Sequence, residues 1–119
     1  MVRAYIVSTG MAVPDRIVTN SDLEKMVDTS DAWIRERTGM AERRLSDEQT
    51  AASDLALPAS RDALRAAGLT PEDLDAVLVA TISGDYVFPA TACVLQHKLG
   101  APNAMAFDLS AACTGYIYG

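Results

Sequence analysis

The sequence predicts an α/β fold in which a mostly parallel sheet is flanked by helices. Residues 76–80 form a near-continuous apolar run rich in β-branched side chains, which is typical of a central parallel strand buried on both faces. Alanine and leucine recur at helical spacing over residues 52–67, and Gly68 and Pro71 then favour a stop. Predicted strands and helices alternate along the chain, and this order calls for right-handed crossovers in a layered domain.

Two other segments are predicted to be strands of this sheet. Residues 4–8 form a short apolar run before Thr9-Gly10, so a strand is expected to open the domain. Residues 104–109 form the strand after a helix over residues 91–99, which ends at Gly100. Residues 42–50 are polar and charged and predict a loop, since no linker-like composition marks a domain boundary there.

Short helices are predicted between the first strand and the long helix. Asn20 or Ser21 is the expected cap of a helix that continues through residues 23–27. Asp31 is the expected cap of a second helix, which ends at Gly39. This second helix carries the single tryptophan of the chain.

Pro58 lies inside the apolar pattern of the long helix. Proline has no amide donor and costs about 3 kcal/mol in a helix interior. The sequence therefore predicts either a kink or a helix that begins nearer Leu57.

Composition excludes several classes of function. Ten Lys and Arg residues against sixteen Asp and Glu give a net charge of −6, which disfavours attraction to nucleic acid or to acidic membranes. No apolar run approaches the roughly 20 residues that span a bilayer, and no basic segment leads into a secretory core. We therefore expect a soluble, cytoplasmic protein with neither nucleic acid nor a membrane as partner.

The cysteine content predicts neither a disulfide nor a metal site. Cys93 and Cys113 are the two cysteines, and their spacing matches neither C-x-x-C nor a zinc-ligand pattern. A reducing compartment suits such isolated thiols. Cys93 lies in an apolar helix and is expected to serve packing alone.

Cys113 is the strongest candidate for a catalytic residue. A predicted strand gives way there to the small residues Ser110, Ala111 and Ala112, which permit a sharp turn, and Gly115 adds backbone freedom. A thiol at the start of a helix meets unpaired N–H groups that favour the thiolate, the reactive form. The position suits covalent acyl chemistry, although burial as a small hydrophobe is the alternative for a lone cysteine.

The segment from Phe107 to Gly119 resembles the nucleophile segment of β-ketoacyl-acyl carrier protein synthase III, the condensing enzyme that starts bacterial fatty acid synthesis. Other matching segments, in order, are Ser8-Thr9-Gly10 with Val13-Pro14, Val18-Thr19-Asn20 with Asp22-Leu23, the string from Met26 to Ile34, Arg37-Thr38-Gly39-Met40 with Glu42-Arg43-Arg44, Val79-Ala80-Thr81, and Phe88-Pro89-Ala90-Thr91-Ala92-Cys93. The resemblance implies a thiolase-like fold. It also implies that residues 1–119 are an incomplete amino-terminal domain ending just after the nucleophile cysteine, because members of the family are far longer.

The resemblance assigns roles to particular residues. It implies that Cys113 is acylated by a short acyl-coenzyme A and then condenses with malonyl-acyl carrier protein, with no redox or metal cofactor. Trp33 corresponds to a tryptophan that stacks on the adenine of coenzyme A, with Thr29 and Arg37 in the same entrance. An aromatic face and a guanidinium suit a planar base and phosphates on physical grounds as well. The alternative for a lone tryptophan is a core anchor.

Phe88 precedes Pro89 and is therefore expected in extended backbone, where core packing is the default for a large apolar side chain. In the resembling enzymes a phenylalanine here crosses the interface of a homodimer, closes the acyl pocket of the partner and limits primer length.

Charged residues near Trp33 have two interpretations. Arg35, Arg37, Arg43 and Arg44 form either a solvated, salt-bridged surface or a basic rim for coenzyme A phosphates or an acidic carrier protein.

The sequence offers little support for a catalytic base. His97 is the only histidine, and its place near a helix end favours a solvated or capping role. The resemblance implies that the catalytic histidine and asparagine lie beyond Gly119, so the 119-residue chain alone is expected to be inactive. Two alternatives stay open: a related condensing enzyme of polyketide or quinolone synthesis, and a non-catalytic interaction fragment.

Overall fold

The computed structural model describes residues 4–119 and has both helices and strands. In chain order the elements are β1 (Ile17–Thr19), α1 (Asn20–Glu24), α2 (Asp31–Thr38), β2 (Glu42–Arg44), α3 (Ala52–Ala67), β3 (Ala76–Ala80), α4 (Thr91–Leu99), β4 (Met105–Leu109) and α5 (Gly115–Tyr118), with 3₁₀ turns at Pro71–Asp73 and Ala112–Thr114. The chain forms two compact units. We call Val13–Gln49 the insert unit, and residues 4–12 with Thr50–Gly119 the sheet unit.

The sheet unit is built on the parallel pair β3 and β4. Their register runs from Ala76 opposite Met105 to Ala80 opposite Leu109. Helix α4 connects the two strands and packs against both, and α3 packs on α4. The buried core lies between this sheet and these helices, at Val77, Ala92, Leu95, Ala101 and Ala104. The predicted strands at 76–80 and 104–109 and the helix at 91–99 are confirmed within one residue.

Two predictions about the sheet are wrong. Residues 4–8 form no strand, because they make no hydrogen-bonded pairing with β3, whose partner is β4. The side chains of Tyr5 and Ile6 are accordingly exposed. Strand β3 is buried on one face rather than both, since Val77 faces the core under α4 while Leu78 is 39 % exposed. In place of a strand, the segment after residue 7 packs on α3: the Ser8 hydroxyl donates to the Ala63 carbonyl at 2.7 Å.

Helix α3 runs through Pro58 without a break in its helical assignment, from Ala52 to its cap at Gly68, which has φ +68°. The prediction of a start nearer Leu57 is therefore wrong. Pro58 and Asp54 both lie on the exposed side of the helix, so water can satisfy the Asp54 carbonyl that Pro58 leaves without a donor.

The insert unit contains an antiparallel pair that the sequence did not predict. Strand β1 pairs with β2, from Ile17 opposite Arg44 to Thr19 opposite Glu42. The predicted loop over residues 42–50 is therefore wrong at residues 42–44, where three charged side chains show no apolar alternation. The pairing is specified instead by tertiary contacts, described below.

Both short helices form, but each is capped one residue earlier than predicted. The predicted extent of the first helix is also wrong, since α1 ends at Glu24 and does not continue to residue 27. Thr19 caps α1, where its hydroxyl oxygen accepts from the Asp22 N–H and the Asp22 carboxylate accepts from the Thr19 N–H. Ser30 caps α2 by accepting from the Trp33 N–H, and Gly39 ends that helix at φ +73°, as predicted. Within residues 4–119 no helix is long and apolar enough to span a membrane.

Candidate active site

Cys113 lies in a tight connection between β4 and α5. Strand β4 ends at Leu109, a 3₁₀ turn covers Ala112–Thr114, and α5 begins at Gly115. Ala112 has φ +46°, a left-handed conformation that costs a residue with a Cβ about 1 kcal/mol and clusters at functional sites. The Cys113 side chain is exposed. The connection thus resembles the strained strand-to-helix turn of hydrolase nucleophiles.

Gly115 has a different role from the one that the sequence suggested. Its φ of −54° is ordinary helical backbone, so conformational freedom is not what this position requires. A Cβ at Gly115 would lie 2.8 Å from the Cβ of Ala80, the last residue of β3. Glycine therefore lets the helix after Cys113 approach the end of the neighbouring strand.

Asp108 anchors the strand that leads to Cys113. Its two carboxylate oxygens accept from the backbone N–H groups of Thr91 and Ala92, each at 2.8 Å. Helix α4 has no cap from its own N-terminal residue Ala90, so a carboxylate from β4 takes that place. Sequence analysis missed Asp108, because the helix that it caps begins 17 positions earlier in the chain.

Phe88 lies between β3 and α4, in a loop of exposed apolar side chains. It is 88 % exposed, and its neighbours Tyr86 and Val87 are exposed as well. The Phe88–Pro89 peptide bond is cis. Among the described residues Phe88 is therefore not packed into the core, which was the default expectation for a large apolar side chain. Phe88 and Cys113 both belong to the sheet unit.

Thr29, Trp33 and Arg37 belong to the insert unit. Thr29 and Trp33 line a cleft of about 330 Å³ together with Asp28 and Ser30. Trp33 is 56 % exposed, so it is not the core anchor that a lone tryptophan often is. The guanidinium carbon of Arg37 lies 6.0 Å from the centre of the Trp33 ring, which is within cation–π range. The structure thus places Thr29 beside Trp33 along one cleft, and Arg37 beside the exposed Trp33 ring.

The other arginines of the predicted basic rim are engaged by protein acceptors. Arg35 Nε donates to both carboxylate oxygens of Asp31, at 2.9 and 2.8 Å. Arg44 donates to the carbonyls of Pro14 and Asp15. The solvated, salt-bridged interpretation therefore fits Arg35.

Asn20 is the residue around which the insert unit is organised, and sequence reasoning assigned it only a capping role. It is 1 % exposed, and its amide donates to Asp31 Oδ1 at 2.7 Å and to the Met40 carbonyl at 2.9 Å. Its Oδ1 accepts from Arg43 at 2.7 Å, which ties β2 to α1. Hydrogen bonding from Asn20, followed by that from Arg35, holds the pKa of Asp31 below its usual value. These bonds fix the start of α2, the helix that carries Trp33.

His97 and Cys93, the two remaining residues considered from the sequence, both lie on helix α4. His97 is exposed in the last turn of α4, about 9 Å along the helix from the end that Asp108 caps. Cys93 is half-buried, with Sγ 3.6 Å from the Ala106 carbonyl, in keeping with a packing role. Both cysteines are free thiols. No group of three or more His, Cys, Asp or Glu side chains in the described part of the chain is arranged to hold a metal ion.

Comparison with known proteins identifies relatives over the whole chain. The chain is 57 % identical over 119 residues to the β-ketoacyl-acyl-carrier-protein synthase III of Natranaerobius thermophilus, a match that covers 100 % of this chain and 36 % of that protein. The crystal structure of 3-oxoacyl-acyl-carrier-protein synthase III from Aquifex aeolicus superimposes with a TM-score of 0.89 at 50 % identity, over 95 % of this chain and 36 % of that one.

The chain belongs to the β-ketoacyl-acyl carrier protein synthase III family. It spans about a third of the length of the curated relatives that it matches, in their amino-terminal part. Its fold is thiolase-like α/β, as the resemblance implied. No family model matches the sequence. A priming β-ketosynthase of the R1128 polyketide pathway also superimposes with a TM-score of 0.89, at 35 % identity, over 95 % of this chain and 34 % of that one.

Proposed function

We propose that this chain is the amino-terminal part of a β-ketoacyl-acyl carrier protein synthase III, which joins a short acyl-coenzyme A to malonyl-acyl carrier protein and so initiates fatty acid synthesis. The observation that carries the proposal is the exposed Cys113 in a strained strand-to-helix connection, within a chain 57 % identical to a protein of that name. The complete enzyme is an acyltransferase.

The first half-reaction transfers the acyl group to Cys113. The thiolate attacks the thioester carbonyl, a carbon–sulfur bond to Cys113 forms, and the bond to the coenzyme A sulfur breaks, so that coenzyme A leaves as its thiol after taking up a proton. Backbone N–H groups, including that of Cys113, hold the oxyanion. No metal or redox cofactor takes part, and acyl-coenzyme A is a substrate.

The second half-reaction forms the new carbon–carbon bond. Malonyl-acyl carrier protein loses carbon dioxide to give an enolate, whose carbon attacks the acyl-cysteine carbonyl. The carbon–sulfur bond to Cys113 then breaks, which releases the β-ketoacyl product and regenerates the thiolate. A histidine and an asparagine stabilise the enolate. The proposal assigns both to the part of the enzyme beyond residue 119, so the 119-residue chain alone is inactive.

Coenzyme A is proposed to bind at Trp33, Arg37 and Thr29. The exposed indole ring offers a stacking face for adenine, and the Arg37 charge beside it suits a phosphate. Base stacking on an aromatic side chain contributes about 1–3 kcal/mol. Trp33→Ala is expected to raise the KM for acetyl-coenzyme A about tenfold. Met40→Ala is the matched control, because Met40 is also 56 % exposed in the insert unit.

Phe88 is proposed to serve as both an acyl-pocket and a dimer-interface residue, in a cytoplasmic homodimer. Its exposure at the tip of an apolar loop supports this role, since large exposed apolar groups mark interaction surfaces. The net charge of −6 supports the absence of nucleic-acid and membrane partners.

Labelling with radioactive acetyl-coenzyme A tests the proposal. The complete enzyme is obtained by joining residues 1–119 to the remainder of the Natranaerobius thermophilus synthase. We expect one label per chain on Cys113, none in Cys113→Ala, and full labelling in Cys93→Ala. Condensation by Cys113→Ala at the normal rate, or by the 119-residue chain alone, would contradict the assignment.

A polyketide priming synthase is the second candidate, because the R1128 enzyme superimposes equally well. Its lower identity, 35 % against 57 %, favours fatty acid synthesis. Product analysis with malonyl carriers from both pathways separates the two.

A further inference from the structure

The loop of residues 85–91, which we call the Phe88 loop, is closed at its base by one hydrogen bond. The backbone N–H of Asp85 donates to the Thr91 hydroxyl oxygen at 2.9 Å. Thr91 is 0 % exposed, so this bond is shielded from water. Its loss would leave a buried polar group without a partner.

The closed base is attached to the strand that leads to Cys113. The Thr91 N–H donates to Asp108 Oδ2 at 2.8 Å, and Asp108 is the fourth residue of β4. On its other side, the Asp85 carboxylate accepts from the Ser53 N–H in the first turn of α3 at 3.0 Å. The base of the loop is thus held by β4, α4 and α3 together.

The tip of the Phe88 loop has no comparable support within the sheet unit. Tyr86, Val87 and Phe88 are exposed, so side-chain packing there does not fix their position. The base of the loop leaves no room for a side chain at residue 84, because a Cβ at Gly84 would clash with the Thr91 hydroxyl oxygen. Within the sheet unit, the hydrogen bonds at the base are therefore the contacts that orient the tip.

We propose that Thr91 is a positioning residue for acyl-chain selectivity, because its hydroxyl closes the Phe88 loop and its N–H fixes that loop to the strand before Cys113. The inference rests on the proposed function, in which Phe88 limits the acyl pocket. Thr91 touches no reacting atom, and its effect is exerted through Phe88.

The experiment measures kcat/KM of the complete enzyme for hexanoyl-coenzyme A relative to acetyl-coenzyme A. Thr91→Val keeps the side-chain shape and removes the acceptor. We expect it to raise this ratio three- to tenfold, since one hydrogen bond is lost, with acetyl transfer to Cys113 retained. Thr91→Ser keeps the oxygen and restores the wild-type ratio. Thr81→Val is the matched control, because the Thr81 hydroxyl accepts from Ser83 N–H at 3.1 Å in an exposed turn outside the loop.

Phe88→Ala separates failure of the inference from failure of the proposed function. If Phe88→Ala raises the ratio and Thr91→Val leaves it unchanged, Thr91 has no positioning role, while the proposed role of Phe88 stands. If Phe88→Ala leaves the ratio unchanged, both are overturned. Should Thr91→Val not fold, Gly84→Ala displaces the same hydroxyl: a raised ratio supports the inference, and an unchanged ratio overturns it.

Discussion

Substitution of Gly115 by alanine tests whether the approach of α5 to β3 positions Cys113, the proposed nucleophile. The new Cβ would lie 2.8 Å from the Ala80 Cβ, whereas ordinary van der Waals contact begins at 3.4 Å. The two atoms must therefore separate by about 0.6 Å. Neither can move by a change of rotamer, since both are Cβ atoms, so the backbone must shift two residues from Cys113.

The cost of this shift can be worked out in stability and in rate. Overpacking costs about 1–3 kcal/mol, and replacing a helical glycine by alanine returns about 0.5–1 kcal/mol, so a net loss of up to about 2.5 kcal/mol in the free energy of unfolding is expected. The backbone angles at Gly115 suit alanine and add no strain. Because a misplacement of about 1 Å at a reacting group costs up to about 10²-fold in rate, we expect acylation of Cys113 to slow about tenfold.

The assay is rapid-mixing acylation of the complete enzyme by labelled acetyl-coenzyme A, together with denaturant unfolding. Ala80→Gly removes the opposing Cβ and is the matched second change. In the double variant we expect the acylation rate to recover, although glycine in β3 itself costs about 0.5–1 kcal/mol. Wild-type acylation by Gly115→Ala, or a double variant no faster than that single variant, would refute the reasoning.

Three other predictions concern stability. Gly10→Ala places a Cβ 2.0 Å from the Ala59 carbonyl oxygen and is expected to lower the free energy of unfolding by about 3 kcal/mol; denaturant unfolding at the wild-type midpoint would contradict this. Hydrogen bonds from Thr19 lower the pKa of Asp22 from 3.8 to about 2. Their contribution to stability is therefore present above pH 4 and is lost as the pH falls toward 2. The thermal midpoint of Thr19→Val should accordingly fall less than that of the wild type between pH 4 and pH 2. Asn20→Ala removes a buried side chain that makes three hydrogen bonds and should cost about 2 kcal/mol in denaturant unfolding, whereas an unchanged midpoint would show that its bonds carry no net stability.

Local patterns predicted the elements that an apolar run or a terminal glycine marks in the sequence. The strand at Ala76–Ala80, the helix at Thr91–Leu99 and the end of α2 at Gly39 follow from such patterns. The pairing of β1 with β2 did not, because Glu42–Arg44 is held by side chains that meet only in three dimensions. Arg43, for example, donates to Asn20, which is far from it in sequence.

The candidate site divides in the same way. The sequence predicted Cys113, Trp33 and Phe88 as candidates, but it did not predict the residues that hold them in place. Asp108 caps a helix that begins 17 positions earlier, and no pattern within either element indicates that contact. Capping was predicted at the right turns but shifted in position, because Asn20 and Asp31 are used by tertiary contacts and Thr19 and Ser30 take their place.

The sequence by itself determined the α/β class, the family and the identity of the nucleophile candidate, because these depend on residue type and local order along one chain. Tertiary structure alone decided which face of β3 is covered, why Gly115 must lack a side chain, and what fixes the Phe88 loop. Those outcomes depend on distances between atoms that the chain brings together only on folding, and a linear pattern carries no such distances.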